Sequence, residues 1–145
     1  MSVAEIAEEE DIPYSFARSI QNDLTKAGLV KTVRGAQGGL VLNCDPETVT
    51  LLEVLEVLQG PVSIAICTVD PCFCHKSEGC GFHSVWHGAD KLLNEYFESI
   101  TLSDLLTQGS QHPSVVELLG TTGKYEKWDK PQEESEDADQ KADAS

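Results

Sequence analysis

Four of the chain's five cysteines, Cys67, Cys72, Cys74 and Cys80, fall within fourteen residues. In a reducing compartment so dense a group of thiols favours metal or redox chemistry over a disulfide framework, and the odd total points the same way. The chain around them has 145 residues, 40% of them hydrophobic, which is enough for one domain with a packed core. Its N-terminus, Met1-Ser2-Val3-Ala4-Glu5, runs into acidic residues without the basic start and apolar run of an export signal. Its longest apolar stretches are broken by Glu53, Glu56, Gln59 and Ser63 and are too short to span a bilayer. A cytoplasmic protein with no membrane association is expected.

Within the cysteine segment, Cys67, Cys74, Cys80 and His83 can supply four soft ligands, the number that either a [2Fe-2S] cluster or a closed zinc site requires. A thiol redox switch is the third reading. The pattern C-x6-C-x5-C-x2-H lacks the paired C-x2-C knuckles common in zinc sites, which weighs modestly against zinc. Cys72 is an additional thiol, able to replace Cys67 or Cys74 as a ligand or to act as a resolving partner. Cys44 is expected to be structural. Pro71 and Gly79 let the loop fold its thiols inward, so metal occupancy would be coupled to the position of the helix that follows.

Upstream, Val3, Ile6 and Ala7 recur at helical spacing until Asp11 and Pro13 end the pattern. A second helix follows from Pro13, with Ala17, Ile20, Leu24 and Ala27 on its apolar face and Gly28 at its end. Ser15, Arg18, Asn22 and Thr25 occupy the polar face, and the pair reads as a helix-turn-helix. Leu29 to Arg34 and Leu40 to Leu42, separated by a glycine-rich turn, form a β-hairpin wing. In this arrangement Tyr14, Ser15, Arg18 and Asn22 are candidates for base or phosphate contacts in the major groove, and Arg34 at the wing tip for phosphate or the minor groove. Thr48 to Leu58 reads as an amphipathic helix capped by Thr50, ended by Gly60-Pro61 and expected to pack beneath the wing. After the cysteines, Val85, Trp86, Ala89, Leu92, Leu93, Tyr96 and Phe97 form the apolar stripe of one long helix, broad enough to want a dimer partner. A short final helix starts at Thr101.

The formal net charge is −15, which by itself disfavours a nucleic-acid partner. The charge is uneven. From Ile12 to Asn43 the cations Arg18, Lys26, Lys31 and Arg34 face Asp23 alone. Part of the negative excess lies in Lys130 to Ser145, which has no aromatic or β-branched residue and reads as a disordered, solubilising tail.

Several of these elements together resemble the Rrf-type winged-helix transcriptional regulators of bacteria, the IscR- and NsrR-like proteins, from about Val3 to Leu106. The matching residues are Ile12-Pro13-Tyr14-Ser15-Phe16-Ala17-Arg18, Gly28-Leu29-Val30, Val33-Arg34-Gly35, Gly38-Gly39 and Thr50-Leu51-Leu52-Glu53-Val54. Cys67, Cys74 and Cys80 match the family's three cysteines, and His83 sits where IscR-like members have a histidine ligand. The first cysteine interval is longer than in those members, which keeps Cys72 as a possible substitute ligand.

The resemblance implies a mostly α fold with a small hairpin wing. A winged helix-turn-helix would occupy 1–60, a cluster-binding cysteine loop 61–83, a dimerisation helix and short final helix 84–108, and the acidic tail 124–145. It implies a homodimer that binds a double-stranded DNA operator, most simply as a repressor, with no catalysis. An iron-sulfur cluster, [2Fe-2S] in preference to [4Fe-4S] because of His83, would report iron, redox state or nitric oxide. Members begin with a further helix before the point where this chain starts, and that first helix is expected to be absent. On that ground a rival reading is a truncated metal-binding protein that heterodimerises with a full-length relative. A cluster-free thiol-switch regulator is the other alternative.

Overall fold

The computed structural model describes residues 1–35, 38–70 and 72–120. The acidic tail at 124–145 and the middle of the hairpin turn, Ala36 and Gln37, lie outside the described residues. Helix α1 (Val3–Glu9) starts on a capping box in which the Ser2 hydroxyl accepts from the Glu5 amide and the Glu5 carboxylate accepts from the Ser2 amide. Asp11, in a left-handed conformation at φ 51, reverses the chain into Pro13 and helix α2 (Tyr14–Lys26), which packs on α1. Pro13 needs no amide partner at this position and its fixed φ favours a helix start. Strands β1 (Val30–Val33) and β2 (Gly39–Leu42) then pair antiparallel, with Val30 opposite Leu42 and Val33 opposite Gly39. The hairpin base is fastened by Asn43, whose side-chain amide donates to Gly28 O at 2.9 Å. Gly39 is required twice over. Its φ is 149, and a Cβ there would lie 2.4 Å from Met1 O, the carbonyl that accepts from the Leu40 amide at 2.7 Å.

Helix α3 (Leu51–Gln59) packs on α2 and on α5 (Gly81–Glu98), a position different from the one beneath the wing that its apolar face led us to expect. Between them lies a single turn, α4 (Ile66–Val69), and after them α6 (Leu102–Thr107), a 3-10 turn at Gly109–Gln111 and α7 (Pro113–Leu119). A mostly helical chain with one two-stranded hairpin was the expected fold, and it is the one observed. Among the described residues no helix is long and apolar enough to cross a membrane.

The starts of α3 and α6 meet. Thr50 bridges Thr101, the Leu51 amide donates to Ile100 O at 2.7 Å, and the Leu102 amide donates to Val49 O at 3.0 Å. Each threonine caps its own helix through a reciprocal box, Thr50 with Glu53 and Thr101 with Asp104. Ile100 at the crossing is 3% exposed. Elsewhere the interior is thin: among the described residues the other buried apolar side chains are Ala7 and Ala17, and no large side chain is fully enclosed.

The structure differs from the sequence reading in four local features. α3 starts at Leu51 because Asp45 organises the preceding turn, accepting from the Glu47 amide through its carboxylate and from the Thr48 amide through its carbonyl. α5 starts at Gly81, inside the span expected to be loop, so Cys80 is its N-cap and His83 lies in its first turn. Ala27, expected on the packed face of α2, is exposed because the helix has already ended at Lys26. α4 and α7 were unforeseen.

The Thr101 hydroxyl and amide, with His112 and Gln108 nearby, hold the Asp104 carboxyl below the usual aspartate range. Thr101→Ala is expected to lower unfolding stability by about 1 kcal/mol in denaturant titrations. A group whose folded titration point is depressed stabilises above its unfolded value, about 4 for aspartate, and that contribution disappears as pH falls through the depressed point. The parent protein's advantage over Asp104→Asn should therefore be full at neutral pH and vanish in acid.

Candidate functional site

Two surfaces carry the chemistry singled out in the sequence. On the first, Tyr14, Ser15, Arg18 and Asn22 lie along one exposed side of α2, as spacings of three and four residues require. Tyr14, at the start of the helix, is 56% exposed. Arg34 is exposed at the hairpin end of β1. Between α2, the start of α1 and the hairpin runs a shallow cavity of about 260 Å³, bordered by Ser2, Tyr14, Arg18, Gln21, Thr32 and Leu40.

Gln21 organises this surface, and the sequence reading missed it. It is buried; its side-chain oxygen accepts from Arg18 Nη1 at 2.7 Å and its Nε2 donates to Thr32 Oγ1 on β1 at 3.3 Å. The guanidinium is thereby oriented from the hairpin through one amide, with its remaining donors available for an anionic partner. A glutamine among polar residues on a helix looks solvent-facing until the hairpin folds over it.

On the second surface, Cys67 sits in α4, Cys74 in a turn held by Ser77, and Cys80 at the head of α5. All three are half-buried free thiols, Cys72 is an exposed one, and Cys44 is half-buried beside the hairpin. Gly79 takes φ 81 to turn the chain into α5. His83 is half-buried; its Nδ1 is enclosed and has no hydrogen-bond partner, and its ring stacks on His87 with centroids 6.4 Å apart. An enclosed imidazole nitrogen without a partner is costly and needs a role. The donor set, three thiols and one imidazole, has the chemistry of an iron-sulfur or zinc ligand set. The structure brings these residues onto one segment without closing a coordination shell: among the described residues no three His, Cys, Asp or Glu side chains stand close enough to hold a metal ion.

Comparison with known proteins bears on the fold and the family. The regulator IscR of Escherichia coli is 27% identical over 136 residues, covering 94% of this chain and 79% of the relative. The solved structure of T. potens IscR superposes with a TM-score of 0.57 at 32% identity, covering 73% of this chain and 68% of that one. That of CymR, described as the global cysteine regulator of B. subtilis, superposes with a TM-score of 0.58 at 28% identity, covering 72% of this chain and 76% of that one. The profile of the Rrf2 family, described as an iron-dependent transcriptional regulator, matches residues 1–108. With a helix-turn-helix, a hairpin and these matches together, the chain belongs to the Rrf2 family of DNA-binding transcriptional regulators, which are not enzymes.

Proposed function

We propose that this regulator binds its operator as a homodimer and that an iron-sulfur cluster on Cys67, Cys74, Cys80 and His83 controls that binding. The observation that carries the cluster reading is the enclosed, unpartnered His83 Nδ1 beside a segment of half-buried free thiols. When bound, such a cluster would supply a reversible, oxidant-sensitive charge and a set of Fe–S bonds tying the segment together. The chain's own part is mechanical. Cys80 and His83 belong to the head of α5, Cys67 to α4 packed on it, and Cys74 to the turn between, so shared ligation would fix this turn on the helix. Three cysteines with one histidine favour [2Fe-2S] over [4Fe-4S]. Exposed Cys72 stands as the substitute ligand.

Dimerisation is supported by the outer side of α5, where Phe82 is 73%, Val85 61% and Leu92 69% exposed, apolar side chains that a second copy could cover. On the DNA side, α2 would enter the major groove with Ser15, Arg18 and Asn22, while Tyr14 borders the groove and Arg34 reaches the backbone.

Three measurements test this reading. Replacing Cys74 or Cys80 with Ala should abolish the visible absorbance of protein isolated without oxygen, and retained colour would refute the ligand assignment. Footprinting should show a protected operator that Arg18→Ala loses, while Arg34→Ala weakens binding to all sequences and lowers the salt slope by about 1; no protection even at low salt would sink the DNA-binding assignment. Leu92→Glu should convert a dimer to a monomer in sedimentation, and an unchanged mass would move the interface elsewhere.

A further inference from the structure

Helix α5 carries a buried acid in its middle. Asp90 is 7% exposed, and among the described residues no salt bridge neutralises it. A carboxylate removed from water is tolerated only when its oxygens are hydrogen-bonded. Among the described residues, the acceptor bonds of its carboxylate come from the stretch Ser63 to Thr68, which contains Cys67. Oδ1 accepts from the Ile64 amide at 2.7 Å, and Oδ2 from Ser63 Oγ at 3.0 Å and from Thr68 Oγ1. One turn further on, Asn94 Nδ2 donates to Val62 O at 3.1 Å. Burial works against the charge, yet the bonds from Thr68, Ile64 and Ser63, with His87 nearby, outweigh it and hold the carboxyl below the usual aspartate range.

Two features turn this anchor toward the thiols. Thr68 is the neighbour of Cys67 within α4, so the carboxylate grips the turn next to that sulfur. His83, His87, Asp90 and Asn94 also fall at i, i+4, i+7 and i+11, which places them along one face of α5. The cavity beside this face, about 290 Å³, is bordered by Val62, Thr68 and Val69 from the docked segment and by His87, Asp90 and Asn94 from the helix. The segment that contains Cys67 therefore lies along the face that carries His83 at its head.

We propose that Asp90, through Thr68 and Ser63, is the positioning residue that sets Cys67 on α5 and so fixes it relative to Cys80 and His83. What Cys67 is positioned for rests on the cluster reading above; the positioning itself does not require it.

The test uses the full chain and reads each cysteine separately, as its rate of alkylation followed by mass spectrometry of metal-free protein. Thr68→Val keeps the side-chain shape and removes the hydroxyl. It is expected to raise the rate at Cys67 about tenfold, the ratio for losing one hydrogen bond to a charged group, with Cys72 and Cys44 unchanged. Thr68→Ser should restore the parent rate, and Asp90→Asn should raise it at Cys67 alone. An unchanged Cys67 rate in both Thr68→Val and Asp90→Asn would overturn the proposal, as would an equal rise at every cysteine, which marks general loosening. Iron retention supplies the second readout: Thr68→Val should speed cluster loss about tenfold, in the range known for residues that orient metal ligands, and Thr68→Ser should restore the parent rate. A parent protein that holds no iron would refute the cluster reading, and the alkylation rates would still decide the role of Asp90.

Discussion

The paired backbone bridge between Thr50 and Thr101 is the connection on which the rest of this architecture depends. It joins the start of α3, which packs on α2, to the point where α5 ends and α6 begins. Because the interior offers little enclosed apolar volume, directional bonds at this crossing carry much of the register that packing would otherwise supply. The two capping boxes make the crossing stiff, since each threonine serves its own helix and the bridge together.

Seen from that crossing, α5 is a lever. It has eighteen residues, spanning about 27 Å at the usual helical rise. Its head holds Cys80 and His83, its middle grips the Cys67 turn through Asp90, and its tail meets α3. Packing runs continuously from α4 to α5, from α5 to α3 and from α3 to α2. Gln21 then links Arg18 on α2 to Thr32 on the hairpin through its side-chain amide. The apolar outer side of α5 would place any dimer partner on the same lever.

Much of this was legible because the signals are local. The break at Asp11 and Pro13, the glycines of the hairpin, the Thr50 cap and the apolar stripe of α5 each specify their own element within a few residues. The hidden features depend on partners far along the chain. Asp90 and Gln21 belong to no motif or apolar stripe, and only docking of the Val62–Thr68 stretch and of the hairpin buries them. α4 is too short to have a period, and α7 starts from Pro113 after an irregular turn. Arrangement of the thiols was legible only as spacing, because loop cysteines have no periodicity that states how their sulfurs face one another.

Iron and acid-labile sulfide content, measured with an absorption spectrum on protein isolated without oxygen, decides whether these thiols carry a cluster. A [2Fe-2S] cluster on each chain would give about two iron and two sulfide per chain and a visible absorption that oxidant or nitric oxide bleaches. Zinc in their place, or no metal at all, would contradict it and leave the cysteines as a structural site or a thiol switch.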